Sequence, residues 1–304
     1  MKKYISSLLL FASALIWGLS FVTQKSAASI PPFTLGLMRG TLAFLFLLAL
    51  APISDRICYT PPTIDGKRRS FLTKSELVGG AIAGCALFLA TFLQQLGLFL
   101  GADAGRCAFI TTLYIALVPI YSFFLRKKSP ILSYIGVGIA IIGFYLICIN
   151  GEFKISTPDI AILGCAMVFP IHILTIEHFN DRCNGIKMSA VQFGTLALLN
   201  LPLSLFVDRS VDFDAIIPLI PEILFLGIMA SGVAYTTQII GQKGVNPTVA
   251  SLILSLESVF GAVGGAFFFG ERLTPREIVG CVIVLLSVLL CEIDFEAIFK
   301  RKSK

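Results

Sequence analysis

The sequence predicts an all-α polytopic membrane protein, ten transmembrane helices arranged as two inverted five-helix repeats. Three observations predict it. Only 14% of the 304 residues are charged and 56% are hydrophobic, with a mean hydropathy of +0.89, whereas soluble domains carry about 25% charged residues. The apolar residues fall in long runs without the alternation of a transmembrane barrel strand. The second half of the chain also repeats sparse identities of the first in the same order.

Each run approaches the roughly 20 apolar residues that a helix needs to cross a bilayer. The first, 5–22, follows Lys2 and Lys3 and precedes Ser26, Ala27, Ala28 and Ser29, a pattern shared with cleaved signal peptides. Its length, its Trp17 and Gly18, and the repeat's need for a first helix favour a retained span. Runs at 33–53, 77–100, 104–125 and 131–149 complete a first repeat at 5–150. Runs at 160–177, 190–207, 219–240, 248–269 and 278–293 make a second repeat at 158–293, and a basic tail occupies 294–304. Ten passes leave too little chain for a separate soluble domain.

Lys and Arg orient the spans. With the N-terminus inside, seventeen of them fall in cytoplasmic segments and six (Lys25, Arg106, Lys154, Arg209, Arg272 and Arg276) fall outside. The positive-inside rule therefore puts both termini in the cytoplasm, and the expected location is the plasma membrane. Topology accounts for the net charge of +6, so no nucleic-acid partner is inferred. Of the eight cysteines, six lie in spans and Cys58 and Cys183 in cytoplasmic loops, where thiols stay reduced. They read as small apolar packing residues.

A shift of 143 residues lays Gly84 on Gly227, Gln95 on Gln238, Gly101 on Gly244, Ile110 on Ile253 and Leu113 on Leu256. Upstream, Gly40-Thr41-Leu42-Ala43 recurs as Gly194-Thr195-Leu196-Ala197, and the boundary falls between Gly151 and Pro158. An odd number of helices per unit forces the second copy to enter the bilayer from the opposite face. Inverted repeats are the architecture of many secondary transporters, whose site lies near the midplane between the halves. Duplication also occurs in channels and is compatible with a membrane enzyme.

The stretch at 248–280, TVASLILSLESVFGAVGGAFFFGERLTPREIVG, resembles the ninth- and tenth-helix segment of the EamA-like branch of the drug/metabolite transporter superfamily. The counterpart at 105–136, with ITTLYIALVP inside, and ALIWGLSF at 14–21 are similar to the same family. The resemblance covers essentially the whole chain and implies two inverted EamA repeats that export small polar metabolites or amino acids. Two departures stand out. Ser258 replaces the proline often found after the helix-nine Glu, and Arg126-Lys127-Lys128-Ser129-Pro130 stands where the second half has Gly270-Glu271-Arg272-Leu273-Thr274-Pro275.

Charge inside the bilayer costs about 2.5–3.5 kcal/mol at a helix centre and marks cavities or partners. Arg39 offers a planar fork of donors for a carboxylate or phosphate; alternatively it pairs with Glu257 or backbone carbonyls. Glu257 reads as a carboxyl able to take up and release a proton, or as a structural hydrogen-bonding group. His172, an imidazole in the inner half of the sixth span, carries the same two readings. Trp17, Gln95, Tyr114, Tyr235 and Gln238 lie on helices that line the cavity in the resembled family. Gln94 and Gln95 cannot both face it, because neighbours on a helix sit about 100° apart.

Pro119 and Pro170 are candidate kinks. Gly36/Gly40, Gly80/Gly84, Gly97/Gly101/Gly105 and Gly261/Gly265 are close-packing pairs. The His172-to-Glu177 stretch only faintly matches an acyltransferase pattern, Asn246-Pro247-Thr248 reads as a helix start, and HExxH, GxSxG, Walker A and paired DxxD motifs are missing. The expectation is a non-enzymatic secondary transporter without cofactor or metal. It would export a small polar or amphiphilic metabolite by alternating access, coupled to an ion or by facilitated diffusion, as a monomer or homodimer. An exchanger of phosphorylated or nucleotide-linked solutes is the alternative within transport.

Overall fold

The computed structural model describes residues 2–54, 63–64, 67–68, 71–127, 129–148, 155–208, 213–269 and 274–292. The tail at 294–304, Cys58, Gly270 to Leu273, Arg56, Arg69, Lys128, Lys154, Arg209 and the 151–154 part of the repeat boundary lie outside the described residues. The first repeat comprises α1 (Lys2–Ser26), α2 (Pro32–Leu50), α3 (Lys74–Phe99), α4 in two segments (Ala104–Thr112 and Tyr114–Phe124) and α5 (Ile131–Cys148). The second comprises α6 (Thr157–Asn180), α7 (Gly185–Phe206), α8 in three segments (Ile220–Leu224, Phe225–Ala234 and Tyr235–Gly241), α9 in two (Pro247–Leu254 and Glu257–Phe269) and α10 (Pro275–Glu292). Eight spans are long and apolar enough to cross a membrane, Ile131–Ile147 is a shorter apolar helix, and the 18-residue α10 completes the ten. The two-residue strands β1 (Thr63–Ile64) and β2 (Lys67–Arg68) pair antiparallel between α2 and α3.

The helix starts follow from local chemistry. Thr73 and Glu76 form a reciprocal capping box at α3, and Ser156 with Asp159 does so at α6. Asn246 caps α9 through its side-chain oxygen to the Thr248 N–H, with Pro247 as the first helical residue, so this tripeptide is a helix start. The ends of α3 and α8 also match: Gly101 (φ +105°) and Gly244 (φ +74°) both turn the chain in the left-handed region, where a Cβ is strained. These are the glycines that the 143-residue shift superimposes.

Packing carries the same symmetry. Besides the pairs α2–α7 and α5–α10, the principal contacts come in matched sets: α3–α6 with α8–α1, α3–α7 with α8–α2, and α4–α6 with α9–α1. Exchanging each helix for its counterpart maps one set onto the other, as a two-fold inverted duplication requires. The two Gly-Thr-Leu-Ala motifs meet on this axis, where a Cβ on Gly40 would lie 2.6 Å from Leu196. Gly84 of α3 lies against Gln192 and Thr195 of α7, and its counterpart Gly227 of α8 against Leu42 of α2. Absent side chains let backbones approach where lipid offers no hydrophobic drive between helices. The outward faces expose Leu45, Phe123, Leu198, Leu205 and Leu286, as a lipid solvent demands.

The breaks in α4 and α9 do not fall at proline. Each is a tightened turn at the same repeat position: the Leu113 N–H bonds the Ile110 carbonyl, and the Leu256 N–H bonds that of Ile253. Pro119 lies beyond the first break inside a continuous segment, and α6 runs unbroken through Pro170. The second break forms without the proline that Ser258 replaces. Its hydroxyl instead lies 3.2 Å from that of Thr112 and 3.3 Å from the Ala108 carbonyl, tying α9 to α4.

Candidate functional site

Both breaks expose their next residue to the centre of the molecule, and those residues are Tyr114 and Glu257. They are repeat equivalents, and both line the same cavity. A central cavity opens around them, lined also by Trp17, Ser20, Gln24, Arg39, Gln94, Phe169, Tyr235 and Gln238. Its free volume is about 20 Å³, room for one or two waters, so a solute has to part its walls.

Arg39 enters this cavity from α2 and is 4% exposed. Its Nε donates to the Ser231 hydroxyl at 3.0 Å. Among the described residues it forms no salt bridge, although Glu257 lines the same cavity. A guanidinium has five N–H donors, so most of its capacity is left for a ligand or water. Ser231 belongs to a ten-residue π-helical stretch of α8, Phe225–Ala234. The same stretch receives the Trp17 indole N–H at 3.0 Å on the Ala230 carbonyl. Such wide turns recur at functional sites, and this one anchors a donor from α1 and another from α2.

The walls are aromatic. Trp17 and Tyr235 have ring centroids 4.5 Å apart, and Tyr114 and Phe169 are 5.8 Å apart. The amide oxygens of Gln24 and Gln238 are buried without a hydrogen-bond partner among the described residues. An unmet acceptor in a low-dielectric interior is costly and is satisfied by a donor that enters. The cavity thus combines free donors on Arg39, free acceptors on two glutamines, a carboxyl and five aromatic side chains, Phe21 included.

The sequence-derived residues divide accordingly. Arg39, Trp17, Tyr114, Tyr235, Gln238 and Glu257 share the cavity. Gln95 lines an adjoining crevice with Arg39, Thr91 and Asn200, while its neighbour Gln94 faces the main cavity. His172 lies behind the wall, 5.7 Å edge-on from Tyr235, with Nε2 2.9 Å from the Gln192 side-chain oxygen. Ser20, Gln24 and Phe169 were not anticipated. The first two continue the face of Trp17 at steps of three and seven along α1, a periodicity that would have found them.

Residues 5–149 and 156–292 each match the profile of the EamA-like transporter family. An uncharacterized transporter of Archaeoglobus fulgidus is 29% identical over 294 residues, covering 95% of this chain and 86% of that protein. One of Methanothermobacter thermautotrophicus is 18% identical over 307 residues, covering 95% and 87%. A protein of known crystal structure superposes with a TM-score of 0.74 at 18% identity, covering 94% of this chain and 96% of the other, which establishes likeness of fold.

Proposed function

The chain belongs to the EamA-like transporter family, a multi-pass membrane transporter of the drug/metabolite type, and from that premise we propose that it exports a small zwitterionic solute of the amino-acid kind by alternating access. One observation carries the reading: Arg39 and Glu257 line a single cavity without forming an ion pair. A solute with a carboxylate and an ammonium complements both. Its carboxylate takes the guanidinium fork, and its ammonium takes Glu257 and the free oxygens of Gln24 and Gln238. Trp17 and Tyr235 give the cation aromatic faces.

Movement follows from the packing. The sets α3, α4, α6, α7 and α8, α9, α1, α2 are each internally contacted and meet chiefly at α2–α7, with α4 against α9. Rocking one set on the other opens the cavity to alternate faces. The basic loops orient both termini toward the cytoplasm, and the outward direction of transport rests on analogy with the family. Glu257 is the group that a coupling proton would reach in this cavity.

Vesicles containing the purified protein and loaded with a labelled neutral amino acid test the reading. Efflux should saturate, and Arg39→Ala and Glu257→Gln should each lower it roughly 10- to 100-fold, the worth of one charged hydrogen bond. Unaltered flux in both variants rejects the site. The phosphate-exchanger alternative requires a counter-substrate in the vesicle and sets a dianion against Glu257, which disfavours it. Trans-stimulation by a phosphate ester and not by an amino acid would reverse that preference.

A further inference from the structure

Outside the central cavity, the membrane-facing surface carries two grooves related by the repeat. One, of about 640 Å³, lies between α3, α4 and α6. The other, of about 270 Å³, lies between α1, α8 and α9. A displacement of 152 residues takes Ile171, Leu174, Thr175 and His178 of the first onto Leu19, Val22, Thr23 and Ser26 of the second. The 143-residue displacement takes Ile82 onto Phe225 and Tyr121 onto Gly264. Even a local bond is shared: Thr175 donates to the Ile171 carbonyl at 2.7 Å and Thr23 to that of Leu19 at 3.1 Å. Because the repeats are inverted, the two grooves face opposite leaflets.

Their floors are alike and their charges are not. The first has Lys127 and His178 in its lining, with the exposed Arg126 next to Lys127 in sequence. Lys127 pairs with Glu177, which leaves two of its three donors uncommitted to that carboxylate. The second has Glu222, one of whose oxygens is buried without a hydrogen-bond partner among the described residues. We propose that the α3–α4–α6 groove seats an anionic phospholipid, its acyl chain on the apolar floor and its phosphodiester at Lys127, Arg126 and His178, and that the α1–α8–α9 groove does not. A basic pocket between spans is the chemistry that holds such head groups, and a carboxylate at the equivalent mouth repels them. The inference stands apart from the identity of the transported solute.

Native mass spectrometry of the full chain, with phosphatidylglycerol and phosphatidylcholine offered in equal amounts, tests it. The wild type should retain phosphatidylglycerol in preference. The double variant Arg126→Gln/His178→Gln, which leaves the Lys127–Glu177 pair intact, should lose roughly five-fold in that preference for the arginine charge removed. Thr175→Trp should abolish retention by filling the groove, whereas Thr23→Trp, its repeat equivalent, should leave the preference unchanged. Free glycerol phosphate should not compete. Equal retention of the two lipids by the wild type, unaltered preference in the charge variant, equal loss from the two Trp variants, or competition by glycerol phosphate would each overturn the proposal. Thermal transitions of all variants, measured alongside, separate a lost seat from a lost fold.

Discussion

Gly18 sets the closest approach of α1 to α9: a Cβ there would lie 2.5 Å from Phe260 and 2.8 Å from both the Glu257 carbonyl and the Gly261 nitrogen. Two of these obstacles are backbone and cannot rotate away. Gly18→Ala should therefore push α9 outward and destabilise the protein by about 1–3 kcal/mol, the range for overpacked cores. A lowered thermal transition in detergent, with efflux falling because Glu257 moves with its helix, is the expected result. Arg39→Lys is a subtler test. It keeps the charge and loses both the fork and the Nε bond to Ser231, so efflux should fall yet remain above that of Arg39→Ala. At this scale the sequence was a good guide to charge and a poor one to direction. Arg39 and Glu257 stood out because lipid makes charge rare, but Gln94 and Gln95 differ by one helical step, and that angle alone decides which reaches the cavity. The 143-residue alignment favoured Gln95, yet equivalent positions need not play equivalent roles.

Among the elements, α4 and α6 are joined near both ends: Arg106 holds Asp159 through two bonds of 2.7 and 2.6 Å, and Lys127 pairs with Glu177. Asp159 also accepts from the Ser156 N–H and hydroxyl at the start of α6. Asp159→Ala should thus cost more stability than Arg106→Ala, by about the 1 kcal/mol of a helix cap, when thermal transitions of the two are compared. The helix ends give a second contrast. Among the described residues, nothing lies within 4 Å of where a Cβ would go on Gly101 or Gly244, so backbone strain is what penalises Ala there. Gly101, at φ +105°, lies farther from the left-handed minimum than Gly244 at +74°, and Gly101→Ala should lower the unfolding temperature more. Spans and caps were legible because apolar runs and Ser, Thr or Asn starts are local signals. The breaks were not, since Leu113 and Leu256 are ordinary helix formers and the tightened turns depend on neighbours such as Thr112 and Ser258 across the α4–α9 seam.

For the whole molecule, α4 as a single span puts Asp103 and Ser129, which flank its two ends, on opposite faces of the membrane. With the termini inside, Asp103→Cys should react with an impermeant thiol reagent in intact cells and Ser129→Cys only after lysis; the reverse pattern would invert the orientation. The inverted duplication was visible in sequence as a handful of spaced identities, because glycines at close helix crossings and turns tolerate no drift while lipid-facing residues do. In an inverted duplication the two open forms are images of each other with the halves exchanged. Identical halves would populate both equally, so any resting preference must arise where equivalent positions differ. Tyr114 opposite Glu257 is such a difference, placed at the cavity itself. A proton arriving on Glu257 makes the two positions more alike, both then neutral and able to donate, and so evens the balance between the forms. Under the proposed alternating access, one mismatched pair at the centre of a symmetric frame thereby acts as a weight on the conformational equilibrium.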